Sequence, residues 1–146
     1  MRERTQSTTG NTIARCLGMT RVLLVEDSAD VLYLLQLQLE WMGYAIDTAT
    51  DANAALDVAQ RVCPDVIVSD LRMPDIDGLE FIRRVRRIRS LASIPAIALS
   101  GASMELDIRQ AIANGFSAHL TKPVEASELS KLIDQLAARR FQRKAS

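Results

Sequence analysis

Four apolar runs in this chain end on residues that can do chemistry. "RVLLV" is followed by Glu26-Asp27 and "DVIVS" by Asp70, while "IPAIALS" closes on Ser100 and "SAHL" leads into Thr121-Lys122-Pro123. A buried run has little reason to end on a carboxylate unless the carboxylate has a task. Brought together, three carboxyl groups repel, and each tends to keep a proton. A divalent cation removes that conflict. Magnesium prefers oxygen ligands, keeps several waters and is commonly held by one or two carboxylates together with phosphate oxygens. Asp27 and Asp70 fit such a ligand set, and Lys122 with the Ser100 hydroxyl would complete a site suited to a phosphoryl group. Phosphoryl transfer asks mainly for positioning and charge neutralisation, and an Asp carboxylate can serve as the acceptor.

The stretch "SDLRMPDIDG" holds three aspartates. Asp70 follows the strand directly. Asp75 and Asp77 belong to the turn that Pro74 opens and Gly78 helps close.

The elements that must position these residues alternate in type. "RVLLV" is a short continuous apolar run, as expected of a parallel strand covered on both faces. A helix follows, with Leu32, Leu35, Leu39 and Met42 at helical spacing and Gly43 as its stop. "YAIDTA" reads as a second strand, polar at alternate positions and therefore placed at an edge. "DANAALDVAQRV" is helical and Pro64 punctuates it before strand three. Then come a helix over "LEFIRRVRRIRSL", strand four, a helix over "MELDIRQAIANG", strand five and a final helix over "ASELSKLIDQLAA". Strands alternating with helices predict an α/β fold, an open, doubly wound parallel sheet built as (βα)5 and flavodoxin-like. In such sheets ligands bind beyond the carboxyl ends of the strands, near the point where strand order reverses. Strand two offers no charge at its end, so the order 2-1-3-4-5 puts it outermost and lines the four reactive ends side by side.

Residues 1–19 are polar, show no sustained period and read as a flexible tail, with Met19 a candidate natural start. Residues 20–138 read as one domain and 139–146 as a frayed basic end. A length of 146 residues, 48% hydrophobic and 25% charged, fits one domain with a full core. No apolar run approaches the ~18 residues that span a bilayer. Eighteen basic residues balance eighteen acidic ones, so no global field draws the chain to nucleic acid or anionic lipid. Arg83, Arg84, Arg86, Arg87 and Arg89 read as a solvated helix face, since no recognition helix follows. Trp41 reads as core. Cys16 and Cys63 lack metal-ligand spacing and the N-terminus lacks a signal-peptide run, so two free thiols and a cytoplasmic location are expected.

Taken together, "VLLVEDS", "SDLRMPDIDG", "ALSG" and "HLTKPV", in this order and at these separations, resemble the receiver (response regulator) domain of bacterial two-component signalling. The resemblance covers roughly residues 20–138, and the run "GFSAHLTKPV" is similar to receivers attached to hybrid sensor kinases. It implies that Asp70 accepts a phosphoryl group from a phosphohistidine, that Asp27 binds Mg²⁺ directly and that Glu26 supports the ion through water. Arg72, two after the acceptor, would supply a backbone carbonyl to the metal. Lys122 and Ser100 would bind the phosphoryl oxygens, and Pro123 would follow a cis peptide that turns Lys122 inward. The partners implied are a histidine kinase or histidine phosphotransfer protein and a downstream protein. Neither nucleic acid nor membrane is implied, and helix four, strand five and helix five would form the signalling and self-pairing face. One position departs: His119 stands three before the lysine, where members often carry the Tyr or Phe of a rotamer switch paired with the Ser/Thr. Its role as a switch stands beside that of a partly buried strand residue.

Other readings place the same residues in different chemistry. A relay intermediate would pass the phosphoryl group onward to a histidine phosphotransfer protein. A haloacid-dehalogenase-like phosphatase would want a second Asp two residues after the nucleophile, where this chain has Arg72. A flavodoxin-like FMN binder would want hydroxyls after strand one, where "EDSAD" would repel phosphate. A receiver that binds partners without phosphorylation is disfavoured because Asp70, Asp27 and Lys122 are all present.

Overall fold

The computed structural model describes residues 18–101 and 105–145. The tail up to residue 17, Cys16 included, lies outside them. In chain order the elements are β1 Arg21–Val25, α1 Ala29–Trp41, β2 Ala45–Ala49, α2 Ala52–Val62, β3 Val66–Asp70, α3 Gly78–Arg87, β4 Ala96–Ser100, α4 Glu105–Asn114, β5 Ala118–Thr121 and α5 Ala126–Ala145. The strands form one sheet in the order β2-β1-β3-β4-β5, and every neighbouring pair is parallel.

Alternation along the strands divides the core into two layers. Leu23, Val25, Ile67, Ala96 and Ala98 face Phe81, Ile82 and Val85 of α3 and the alanines of α2. Val22, Leu24, Val66, Val68, Ile97 and Leu99 face Leu32, Leu35 and Leu39 of α1 and Leu129 and Ile133 of α5. Strands β1, β3 and β4 are buried along their whole length, which explains their uninterrupted apolar runs. Each fully buried aliphatic or aromatic side chain contributes ~1.5–3 kcal/mol relative to exposure. Three of the four site-bearing strands are therefore anchored by burial along their whole length.

Helix starts are set by side-chain caps. Ser28, Asp51 and Asp77 accept from the amides of Val31, Ala54 and Glu80, satisfying donors that a first turn leaves orphaned. Asp77 is thus the N-cap of α3, while Asp75 takes the left-handed region at φ 65° in the preceding turn.

Several expectations need correction. Trp41, expected in the core, is 92% exposed and lies on the side of α1 opposite the arc of Leu32, Leu35 and Leu39; Met42, in line with that arc, is exposed as the C-cap residue at the helix end. Helix α3 ends at Arg87 rather than near Leu91, because Ile88 turns to extended backbone. Arg86 is not part of a solvated face: its guanidinium donates to the carbonyls of Gly115, Leu91, Ala92 and Ile94, joining α3 to the end of α4. The basic residues expected to fray from 139 onward continue α5 to Ala145. Arg140 is fixed against the start of β3, its Nη1 donating to the Pro64 carbonyl at 2.9 Å and standing 3.5 Å from Asp65 Oδ1.

Candidate functional site

The strand ends converge as their order requires. Asp70 is the last residue of β3 and is paired with Leu99 of β4, next to Ser100. Glu26 follows β1 and donates its amide to the Ala49 carbonyl at 3.1 Å, which keeps the β1 end in line with the sheet edge. Lys122 follows β5, and its amide donates to the Ser100 carbonyl at 2.7 Å. The Lys122-Pro123 peptide is cis.

The charged groups meet at this edge. Lys122 Nζ donates to Asp70 Oδ2 at 2.8 Å and to Glu26 Oε2 at 3.1 Å. Both acceptors are nearly inaccessible, Asp70 at 4% and Glu26 at 3%. Asp70 Oδ1 accepts from the Arg72 amide at 3.3 Å, and Glu26 Oε1 from the Ser28 amide at 3.2 Å. The Arg72 side chain is exposed, so its backbone is the part that touches the site.

Burial pushes the Glu26 carboxyl up, and the Asp70 charge adds to it, while the bonds from Lys122 and the Ser28 amide pull the other way. Burial also works against the Lys122 charge, but the bonds to Asp70 and Glu26 outweigh it and raise that group. The lysine is held as a cation between two acids.

Asp27 completes an acidic triad. Oxygens of Glu26, Asp27 and Asp70 lie within 4.8 Å of one another, Asp27 exposed and the other two buried. The donor set is all oxygen, and three carboxyl groups meet one ammonium, so a hard divalent cation fits both the ligand chemistry and the charge. Asp27 and Asp70 would hold it, with Glu26 behind them.

Ser100 Oγ and His119 Nε2 are 2.6 Å apart across β4 and β5. Burial lowers His119 from its ordinary value, opposed by the charge of Asp107 on α4. A cavity of about 630 Å³ opens beside the triad, bounded by Asp27, the loop from Leu71 to Pro74, Ser100, and Asp107 and Gln110 of α4. Asp107 and Gln110 were not among the expected site residues. Their separation of three puts them on one helix face, but only the structure shows that this face lines the cavity and that the Asp107 charge acts on His119.

The family model of the response regulator receiver domain matches residues 22–134. The chain belongs to the response regulator receiver family. An uncharacterized 14.6 kDa protein in the sodA1 3' region of Leptolyngbya boryana is 40% identical over 119 residues, covering 82% of this chain and 91% of that protein. Response regulator Rre1 of Synechocystis sp. is 34% identical over 119 residues, 81% of this chain but 52% of Rre1. The receiver thus spans about half the length of several regulators it resembles. Among solved structures, the chemotaxis response regulator CheY4 of Vibrio cholerae superposes with a TM-score of 0.76 at 31% identity, covering 81% of this chain and 98% of that one. The α/β fold and strand order 2-1-3-4-5 are those of this receiver group. Receivers are signalling domains that in general bind Mg²⁺, and the acidic triad is where this one has the oxygen ligands to do so.

Proposed function

We propose that this receiver takes a phosphoryl group from a phosphohistidine onto Asp70 in a Mg²⁺-dependent reaction, and signals through the conformational change that follows. The observation that carries the reading is the setting of Asp70, a buried carboxylate at a strand end with one oxygen fixed by Lys122. A carboxylate oxygen of Asp70 attacks phosphorus. The new P–O bond forms as the P–N bond to the imidazole breaks, and the leaving imidazole takes up a proton. Asp27 and Asp70, with the Arg72 carbonyl and with Glu26 in support, would hold Mg²⁺, which would neutralise charge on the phosphoryl oxygens.

Lys122 then exchanges a carboxylate partner for a phosphoryl oxygen. Ser100 donates its hydroxyl proton to another. With His119 Nε2 as the acceptor of their 2.6 Å contact, His119 competes with the phosphoryl group for that one proton, which is the switch role assigned to it here. The phosphoryl group adds about −1.5 to −2 of charge and biases two states of the face formed by α4, β5 and α5. A histidine kinase or histidine phosphotransfer protein is the donor this chemistry requires. A downstream protein or a second copy reads the changed face.

The test is incubation with a small phosphodonor and Mg²⁺ followed by intact mass. Wild type is expected to gain one phosphoryl group, acid-stable and base-labile as an acyl phosphate is, and Asp70→Asn to gain none. A gain that persists in Asp70→Asn, or is absent in wild type, overturns the reading.

A further inference from the structure

Ser100 Oγ and His119 Nε2, 2.6 Å apart, form a hydrogen bond that can run in either direction. A serine hydroxyl carries one proton and two lone pairs, whereas a ring nitrogen of histidine accepts when neutral and donates when protonated. A Tyr or Phe at position 119 would not change charge near neutral pH, and His does.

The surroundings of the ring bear on its charge from few directions. Ala118 and Leu120 pack on the α1 and α5 side of the sheet, so His119 between them faces the other layer, to which α4 contributes Ala111. β5 is an edge strand with β4 as its one neighbour. β4 presents Ala98 level with His119 and Ser100 two residues on, neither of which titrates in the range of a histidine. From α4 comes the carboxylate of Asp107, whose charge favours the imidazolium while burial disfavours it. Lys122, beyond the end of β5, keeps its ammonium bonded to Asp70 and Glu26. Among the described residues Asp107 is therefore the charge that acts on the ring, and it borders the same cavity as Ser100.

Resting on Asp70 as the acceptor and Ser100 as a phosphoryl ligand, we propose that a proton at His119 Nε2 reverses the bond to Ser100 and thereby frees the Ser100 proton for a phosphoryl oxygen, with Asp107 as the positioning residue that favours the charged ring. While His119 is neutral, Nε2 takes the Ser100 proton, and a phosphoryl oxygen would meet only lone pairs of the hydroxyl. Water supplies the proton that changes this, since the ring is only half-buried. The new N–H then donates to Ser100 Oγ, the contact stays, and the hydroxyl proton turns to the phosphoryl oxygen. A phosphoryl group of about −1.5 to −2 charge, one hydroxyl away, in turn stabilises the imidazolium. Phosphorylation and proton uptake promote each other by the same factor, as linkage requires.

His119 is the only histidine of the chain, so its ring signals in NMR report a single titration. Full-length wild type, Ser100→Ala and Asp107→Asn are titrated alone and with beryllofluoride plus Mg²⁺ as an unreactive phosphoryl mimic, with amide spectra confirming that each is folded. Without the mimic, Ser100→Ala is expected to titrate at higher pH than wild type, because the neutral ring has lost its donor, and Asp107→Asn at lower pH. With the mimic bound, the wild-type midpoint should move to higher pH, and by more than that of Ser100→Ala. Coincident midpoints for wild type and Ser100→Ala without the mimic overturn the proposal. So does a wild-type midpoint that stays in place while beryllofluoride is bound. Binding is read separately by fluorine NMR, with Asp70→Asn as the blank. A missing fluorine signal in wild type counts against Asp70 as acceptor, while the exchange between Ser100 and His119 is still judged by the titrations without the mimic.

Discussion

Lys122 reaches the site from β5 with its ammonium between Asp70 and Glu26, and its removal strands two buried acids. A Lys122→Met chain keeps the stem but loses the cation. Glu26, already pushed up by burial and partly held down by the Lys122 bond, is expected to rise further. A carboxyl whose folded value lies above its unfolded value, about 4.3, contributes fully below that value and loses its contribution as pH rises through the folded one. The variant should therefore be close to wild type near pH 4 and less stable by about 1–2 kcal/mol at pH 8. That is less than a fully buried pair would lose, because Lys122 is still 31% exposed. Urea midpoints at the two pH values check this, and an equal deficit at both would contradict it. Phosphoryl incorporation should fall as well. At this scale the sequence was highly legible. Glu26, Asp27, Asp70, Ser100 and Lys122 could be named because each ends an apolar run, and a strand end is a place that periodicity identifies. The partner of Ser100 could not be found that way, since the contact with His119 depends on the lateral register of β4 and β5.

The elements hold the site through close approaches that a strand or helix pattern does not reveal. Gly78 opens α3, and a Cβ there would stand 2.5 Å from the Asp70 carbonyl oxygen and 2.7 Å from Leu71 Cα. Both neighbours are backbone, so the end of β3 would have to move. Gly78→Ala is expected to destabilise the fold by roughly 1–3 kcal/mol, as overpacking does, and to lower phosphoryl incorporation at Asp70 more than its stability loss explains. Urea unfolding together with intact mass on the folded fraction measures the two effects. A variant with normal incorporation would show that α3 does not set the position of Asp70. The glycine is visible in the sequence as a turn residue; its contact with the acceptor's own carbonyl is not. Arg86 teaches the same limit. In a run of arginines nothing local distinguishes the one that bonds carbonyls of the loop after α3 and of Gly115 from those that face water. Trp41 marks the opposite failure, an aromatic assigned to the core from its helix although the buried arc of α1 is already filled by three leucines.

Across the whole molecule, chemistry and cohesion occupy opposite ends of the sheet. The acidic triad lies beyond the carboxyl ends of the strands. At the other end Arg21 pairs with Asp47, and Tyr44, between α1 and β2, reaches α5. Its hydroxyl donates to Asp134 Oδ1 at 2.6 Å and lies 2.7 Å from Ser130 Oγ. Burial, then the bond to Asp134, pushes the Tyr44 phenol up to about 12, against about 10 in an unfolded chain. Above pH 10 the unfolded chain loses this proton first, so stability contributed by Tyr44 is complete below pH 10 and is lost as pH rises toward 12. At about 1.4 kcal/mol per pH unit that loss approaches ~2 kcal/mol. Lys122, also raised, loses its contribution in the same alkaline range, so the wild-type curve alone does not isolate Tyr44. The difference between wild type and Tyr44→Phe does. The variant should be less stable by about 1 kcal/mol at pH 8, the net worth of a hydrogen bond, and because the wild-type loss is the larger of the two, the deficit should vanish and then reverse sign as pH approaches 12. Urea unfolding from pH 8 to 11.5 follows it. A deficit constant across that range would mean that the phenol proton is not what ties α5 to the sheet. Phosphoryl incorporation at neutral pH should be unchanged in Tyr44→Phe, because the tie and the acceptor act at opposite ends of the same strands.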